Sequence, residues 1–176
     1  MGGVFGTQAC AASARMPGLY IGNVAAAQDR GTLVRLGITH VVDLSQVEYR
    51  PGGKVHRLIV PVPDREDFDM RSVFGVTNGY IHRALRSGGR VLVHCRFGIS
   101  RSATVVLAYL MAFAGMAYAD AARELIAARP AVYPNAGFHE QLAAYDAELA
   151  SFRRRRPHTQ ATIAGARTAR RHPTPP

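Results

Sequence analysis

The sequence is poor in cysteine, and it has no long apolar segment. Two cysteines, Cys10 and Cys95, among 176 residues cannot form a disulfide framework, and they favour a reducing compartment. No run of about 18 uninterrupted apolar residues occurs, so we expect no membrane-spanning helix. A basic segment followed by an apolar one is also missing at the start, so we expect no secretory signal. Together these absences favour a cytoplasmic protein.

The motifs of two ligand classes are absent as well. No second cysteine pair and no histidine cluster has the spacing of zinc ligands, so no metal site is predicted. The pattern G-x-x-x-x-G-K-[ST], which cradles nucleotide phosphates, does not occur either.

Negative charge is missing from one end of the chain. All 12 Asp and Glu lie before residue 151, whereas 151–176 hold seven of the 22 Lys and Arg together with four prolines. The net charge of +10 therefore comes mainly from this end. Like-charge runs without apolar periodicity are typical of disorder. We expect 151–176 to form a disordered basic tail, which either has no specific role or binds nucleic acid, an acidic lipid or a nuclear-import receptor.

The rest of the chain is long enough for one domain with a full core. Residues 1–15 are small and polar and predict a flexible N-terminus, whereas 16–150 alternate strand and helix patterns. Such alternation is typical of an α/β sheet with helices on both faces. The predicted strands are 18–23, 38–45, 55–62 and 90–95, and the predicted helices are 24–37, 70–87, 100–114, 118–129 and 136–150.

The segment VLVHCRFGISRSATVVLAYL (91–110) carries the strongest functional signal. A buried strand ends at Cys95, and a short loop with Gly98 leads directly into an apolar helix. Backbone N–H groups of such a loop form a nest for an anion, and the helix adds its positive dipole end. Arg101 supplies a planar fork that grips phosphate oxygens. The same surroundings lower the pKa of a thiol from about 8.5 to about 3.5–7.5.

We therefore predict that Cys95 is a nucleophile and that the loop holds a phosphate dianion. Ser102 is placed to donate a hydrogen bond to the sulfur, which helps the thiolate leave in a second step. The alternative is an inert core cysteine, which the order of strand, glycine, arginine and helix disfavours.

The segment HCRFGISRS (94–102) matches the signature H-C-x5-R-[ST] of the cysteine-dependent protein tyrosine phosphatases. With ATVVLAYLM after it, the segment resembles the dual-specificity members, and MPGLYIGN, LGITHVVDLS and YPNAGFHEQLAAYDAEL extend the resemblance over 16–150. The small atypical members, which lack a kinase-docking domain, are most similar. Membership implies a central, mostly parallel sheet of about five strands with helices on both faces. It also implies a phosphate-binding loop made of Arg96, Phe97, Gly98, Ile99, Ser100 and Arg101.

Several carboxylates in PDREDFDM (63–70) are candidates for the proton donor. Asp69 is placed to cap the next helix, and Glu66 and Asp67 are interpreted as solvated charge. The resemblance implies an Asp about thirty residues before the nucleophile, which is the place of Asp64. Asp64 would protonate the leaving oxygen and then act as base on the hydrolytic water. An ordinary loop carboxylate remains the alternative.

The resemblance also implies supporting roles for two residues. His94 would steady the loop and tune the thiol, or it is a satisfied core histidine. Asn135 would fix the shape of the loop, or it caps the last helix. Phe97 stands where relatives often carry a small or polar residue. Together with Ile99 it predicts an apolar rim.

The chain begins Met-Gly, as does one myristoylated branch of the atypical dual-specificity phosphatases. Gly2 is therefore a candidate for lipidation, although Gly6 replaces the preferred Ser or Thr. One acyl chain binds membranes marginally, and Cys10 or the basic tail would supply a second signal. The alternative is a loose, unmodified terminus.

The sequence thus predicts a dual-specificity protein phosphatase that acts on phosphotyrosine and on phosphoserine or phosphothreonine through a phosphocysteine intermediate. No metal or organic cofactor is required, and phosphoproteins are the expected partners. One alternative is the same chemistry on a phosphoinositide, a phosphoglycan or an RNA 5′ phosphate. Another is a phospho-binding scaffold with little turnover, which the presence of both Cys95 and Arg101 disfavours. We expect a cytoplasmic location, with nuclear or peripheral membrane association through the tail as alternatives.

Overall fold

A five-stranded sheet forms the centre of the fold and confirms the predicted α/β class. The structure is a computed structural model that describes residues 9–51 and 54–155. Its strands are β1 Ala9–Ala11, β2 Leu19–Asn23, β3 His40–Asp43, β4 His56–Ile59 and β5 Val91–Cys95. They are arranged in the order β1-β2-β5-β3-β4. β1 is antiparallel to β2, and the other neighbouring strands are parallel.

Strand β5 lies in the middle of the sheet, and all of its residues are buried. This placement agrees with its nearly continuous apolar sequence, which is typical of a strand covered on both faces. The parallel register sets Asn23 opposite Cys95 and Asp43 opposite His94. Because the carboxyl ends of parallel strands meet at one edge of a sheet, these four residues lie together where the following helices begin.

Helices cover both faces of the sheet, as predicted. They are α1 Val24–Gln28, α2 Arg30–Leu36, α3 Arg71–Arg86, α4 Arg101–Phe113, α5 Tyr118–Ala128 and α6 Ala136–Arg155. Successive strand residues point to opposite faces. Val42 and Val93 therefore join the larger apolar cluster with α3 to α6, whereas Val41 and Leu92 join a smaller cluster with α1 and α2.

Helix α4 is buried from Arg101 to Met111 and packs against α3, α5 and α6. Its sequence is apolar on all sides, which is expected of a helix that other elements surround. This burial anchors the first residue of the helix, Arg101, close to the end of β5. Among the described residues, none of the helices is both long and apolar enough to cross a membrane.

The predicted single helix over 24–37 is wrong, because two short helices meet at Asp29. Asp29 has extended dihedral angles, φ −81° and ψ 106°, and its Oδ2 accepts from the N–H of Thr32 at 2.7 Å. Asn23 caps the first helix in the same way, with Oδ1 accepting from the N–H of Ala26 at 2.9 Å. Side-chain capping at Asp29 thus starts a new helix. Gly37 closes that helix in the left-handed conformation, as expected.

The structure corrects both predicted limits of the folded domain. Strand β1 lies within 1–15, which we predicted to be flexible; it pairs with β2 but is too short to show a strand pattern. Helix α6 continues past the predicted boundary at 150 to Arg155, and the arginines in its last turn complement the negative end of the helix dipole. Gly2 and the rest of the predicted tail, 156–176, lie outside the described residues.

Candidate active site

Cys95 is the last residue of β5, and the loop that the sequence predicts to be an anion site follows it directly. We call residues 96–100, between β5 and α4, the signature loop. Cys95 is buried, its Sγ accepts from the N–H of Gly98 at 3.2 Å, and it lies 3.4 Å from Ser102 Oγ. The structure thus places Ser102 beside the sulfur, where the sequence predicted it, and adds the N–H of Gly98 as a donor to the sulfur.

Gly98 is required by both its conformation and its surroundings. Its φ is +71°, which favours glycine. A Cβ at this position would lie 2.5 Å from the carbonyl oxygen of Gly22 in β2. Any other residue would therefore push the signature loop away from the sheet.

Arg101 is held rigidly beside the loop. It is 6% exposed, and its Nη1 donates to the carbonyl of Val62 at 3.1 Å and reaches that of Leu44 at 3.5 Å. These carbonyls belong to the segments that follow β4 and β3. The guanidinium is thus fixed by carbonyls that follow the neighbouring strands β3 and β4, a geometry suited to binding an oxyanion.

Asp64 faces the signature loop. Its Oδ1 accepts from Ser100 Oγ at 2.7 Å and from Asn135 Nδ2 at 3.0 Å, and its Oδ2 lies 3.4 Å from Arg101 Nε. The side chain is about one-third exposed, at 35%, and it lines the cleft described below. The carboxylate is therefore oriented by neighbours on two segments of the chain, Ser100 and Arg101 on one and Asn135 on the other.

The neighbouring acids Asp67 and Asp69 make contacts away from the signature loop. Asp67 pairs with Arg65 at 2.6 Å, and this hydrogen bond and the charge of Arg65 lower the pKa of Asp67. Asp69 accepts from the N–H groups of Arg71 at 3.0 Å and Ser72 at 3.3 Å, at the start of α3. Helix α3 begins at Arg71 with Met70 as its boundary residue, one position later than an Asp69 cap predicts.

Asn135 performs both of the functions that the sequence left open. Its Oδ1 accepts from the N–H of Phe138 at 3.0 Å, which caps α6. Its Nδ2 donates to Asp64, and its backbone N–H donates to Ser100 Oγ at 3.2 Å. A helix cap therefore also ties the candidate acid to the signature loop.

His94 is fully buried in a polar network. Its Nδ1 lies 3.3 Å from the carbonyl oxygen of Cys95, which can only accept, so Nδ1 carries the proton. Its Nε2 lies 2.5 Å from Tyr49 Oη and 3.4 Å from Asp43 Oδ1. Burial lowers the pKa of His94, and the Asp43 carboxylate opposes this shift in part. Nε2 of the neutral ring accordingly accepts from the Tyr49 hydroxyl.

The sequence analysis predicted no role for the residues that surround His94, although Asp43 and Ser45 lie in the segment LGITHVVDLS. Asp43 forms a buried ion pair with Arg57, and its Oδ1 accepts from the N–H and the hydroxyl of Ser45, both at 2.7 Å. The Arg57 guanidinium also stacks on the Tyr49 ring, 4.1 Å from its centroid. One signal was available: an acidic residue that ends a buried strand at the same edge as Cys95 needs a partner.

A cleft of about 310 Å³ opens above the signature loop; it is lined by Gln46, Val47, Asp64, Arg96, Phe97 and Arg101. Phe97 is 44% exposed, and the Arg96 guanidinium lies 5.3 Å from its ring centroid. Phe97 thus contributes the predicted apolar rim. Ile99 is half-buried and is not part of this lining. Within 9–51 and 54–155, no three His, Cys, Asp or Glu side chains come together as a metal site would require.

Comparison with known proteins agrees with this geometry. The family model for the dual specificity phosphatase catalytic domain matches residues 19–148. The chain belongs to this family. Human dual specificity protein phosphatase 26 is 42% identical over 140 residues, which is 76% of this chain and 66% of that protein. The chain thus spans slightly less than two thirds of that relative.

Solved structures of family members share the fold. The crystal structure of human DUSP28 is 36% identical and superposes with a TM-score of 0.73, covering 78% of this chain and 94% of that one. A mouse putative dual specificity phosphatase, crystallised in complex with zinc tungstate, is 35% identical with a TM-score of 0.77, covering 86% and 94%.

Proposed function

We propose that this dual-specificity phosphatase domain hydrolyses phosphotyrosine and phosphoserine or phosphothreonine in proteins through a phosphocysteine intermediate. The observation that carries the proposal is the arrangement of Cys95, Arg101 and Asp64 around one cleft. A buried sulfur accepts from a loop N–H, while Asp64 Oδ2 lies 3.4 Å from the arginine Nε. The complex of the mouse relative with zinc tungstate supports an oxyanion site, because tungstate is a tetrahedral dianion like phosphate.

In the first step, the substrate phosphate occupies the signature loop, and Arg101 neutralises its charge. The thiolate of Cys95 attacks phosphorus opposite the leaving oxygen, so an S–P bond forms as the P–O bond breaks. Asp64 in its protonated form gives its proton to the leaving oxygen, and the dephosphorylated side chain departs neutral. The phosphoryl group then resides on sulfur.

In the second step, water replaces the departed side chain. Asp64, now ionised, takes a proton from the water while the oxygen of the water attacks phosphorus. The S–P bond breaks and the electron pair returns to sulfur. Ser102, 3.4 Å from the sulfur, donates a hydrogen bond that stabilises the departing thiolate. Inorganic phosphate leaves, and the enzyme returns to its starting protonation state.

The test measures phosphate release from phosphotyrosine and phosphothreonine peptides of otherwise identical sequence, with EDTA present. The native chain should cleave both peptides, and Cys95→Ser should cleave neither. Cys10→Ser is the matched control for loss of a thiol, because Cys10 lies in β1 and does not line the cleft, and it should still cleave both peptides. A folded native chain that cleaves neither peptide, or an active Cys95→Ser variant, contradicts the proposal.

We also propose phosphoproteins as the substrates and an anionic surface as the partner of the basic C-terminal segment. Exposed arginines end α6, and four more follow in 156–176. Binding to vesicles containing acidic lipid, or to RNA, should fall when 156–176 are deleted, whereas retention on uncharged vesicles stays low throughout. Equal binding by both forms contradicts this role.

A further inference from the structure

The carbonyl groups of the signature loop are all turned outward and accept hydrogen bonds from other parts of the chain. Backbone N–H groups serve three of them: Val24 donates to Arg96 O at 3.3 Å, Tyr133 to Ile99 O at 2.9 Å and Thr104 to Ser100 O at 2.9 Å. The carbonyls between these, on Phe97 and Gly98, are bound by a side chain.

That side chain is Arg129, which directly follows α5. It is 7% exposed, its Nε donates to Gly98 O at 2.9 Å, and its Nη2 donates to Phe97 O at 3.3 Å. One planar guanidinium thus binds two consecutive carbonyls of the loop. Arg129 lies 34 positions beyond Cys95 in the sequence, and it belongs to none of the motifs described above.

We propose that Arg129 is a positioning residue of the active site: it holds the Phe97 and Gly98 carbonyls outward so that the loop N–H groups face the sulfur and the phosphate. This inference rests on the proposed function for its catalytic consequence, but the orientation of the loop is testable without turnover.

The physical link runs through a single peptide unit. In a trans peptide the C=O and the N–H point in opposite directions. Phe97 O and the N–H of Gly98 belong to the same unit, and this N–H donates to Cys95 Sγ at 3.2 Å. The hydrogen bond from Arg129 to Phe97 O therefore fixes the direction of a donor that contacts the nucleophile. The hydrogen bond from Arg129 to Gly98 O likewise fixes the direction of the N–H of Ile99, which belongs to the next peptide unit.

The two hydrogen bonds from Arg129 restrict the backbone most at Gly98. Glycine reaches both signs of φ readily, so its peptide units are the easiest in the loop to rotate. A charged donor also polarises each peptide that it binds, which strengthens the opposite N–H as a donor. Arg129 thus supplies orientation and polarisation without touching the substrate.

Arg129 also connects the loop to strand β1. The Arg129 guanidinium acts electrostatically on the thiol of Cys10 in β1. Burial raises the pKa of Cys10, and the charge and hydrogen bond of Arg129 lower it in part. The guanidinium therefore interacts with both β1 and the signature loop.

The test compares Arg129→Met and Arg129→Lys with Arg123→Met, a control on the exposed side of α5. Alkylation of Cys95 by iodoacetamide is followed by mass spectrometry of its peptide at increasing concentrations of arsenate, a tetrahedral analogue of phosphate. The half-protecting arsenate concentration should rise about ten- to hundredfold in Arg129→Met, since two charge-assisted bonds are lost. It should rise less in Arg129→Lys and not at all in Arg123→Met.

A purely structural role would lower the melting temperature but leave arsenate protection of the folded protein unchanged, and that result would overturn the proposal. Measurements are therefore made well below the melting transition of each variant. If Arg129→Met does not fold, Arg129→Lys, which keeps the stem and charge, decides by the same criterion. Arsenate protection that depends on Arg129 in a native chain without phosphatase activity would sustain the positioning role while refuting the proposed function.

Discussion

Asp64→Asn is the most direct test of the proposed proton donor. The amide nearly matches the carboxylate in shape. Its oxygen can still accept from Ser100 Oγ and Asn135 Nδ2, which lie 2.7 and 3.0 Å from Asp64 Oδ1. The substitution therefore preserves the position of the side chain and removes its proton.

The expected loss follows from the chemistry that Asp64 supplies. A positioned acid is worth about 10²–10⁴ in rate, which corresponds to about 2.7–5.5 kcal/mol of transition-state stabilisation. The variant also loses the contact between Asp64 Oδ2 and Arg101 Nε at 3.4 Å. Because Asp64 is 35% exposed, that contact contributes only about 0–1 kcal/mol to folding. Activity should thus fall far more than stability.

The assay is kcat on a phosphothreonine peptide and on an aryl phosphate with an acidic phenol. The peptide reaction should fall about 10²–10⁴-fold. The aryl reaction should fall less, because an acidic phenol leaves without full protonation. Asp67→Asn is the matched control, since Asp67 pairs with Arg65 at the surface. The role of Asp64 as proton donor is refuted if folded Asp64→Asn keeps more than about a tenth of the native peptide rate, or if Asp67→Asn loses as much.

Three further substitutions test the surroundings of the sulfur. Tyr49→Phe removes the donor to His94 Nε2 and should destabilise the fold by about 1 kcal/mol, measured by urea unfolding, with a several-fold lower kcat. Gly98→Ala should abolish arsenate protection of Cys95, because its Cβ would lie 2.5 Å from Gly22 O. The free energy of unfolding should fall as pH drops below about 6.5, since burial lowers the pKa of His94 and the unfolded chain then binds the proton more readily. His94→Asn should flatten that pH dependence.

Each of these has an outcome that contradicts it. Tyr133→Phe, on an exposed tyrosine, should change neither stability nor kcat; an equal effect would show that the Tyr49 hydroxyl is unimportant. Gly115 has a similar φ of +69° but open space around its Cβ, so Gly115→Ala isolates backbone strain from the clash. If both glycine variants lose arsenate protection alike, the clash with Gly22 is not the cause. An unfolding free energy that is flat from pH 7.5 to 5.5 contradicts the assignment of a buried neutral His94.

Local sequence was sufficient for the central elements and for most of the candidate site. An apolar run of strand length followed by a short glycine loop and an apolar helix predicted β5, the signature loop and α4, with Cys95 and Arg101 at the junctions. These predictions were accurate because periodicity is local and the contacts of Cys95 with Gly98 and Ser102 span only a few residues along the chain. The helix over 24–37 failed for the opposite reason: one capping side chain, Asp29, outweighed a weak apolar pattern.

The sequence by itself determined the α/β class, the position of Cys95 at the end of a buried strand and the alternation of most strands and helices, since periodicity and turn chemistry are local properties. Only the tertiary structure decided which distant groups surround the sulfur. Parallel pairing of β3 with β5 places Asp43 beside His94. Asn135, before α6, contacts Asp64, and Arg129, after α5, contacts the carbonyls of the signature loop. These contacts join residues far apart in sequence, and packing of whole elements, which no local pattern encodes, creates them.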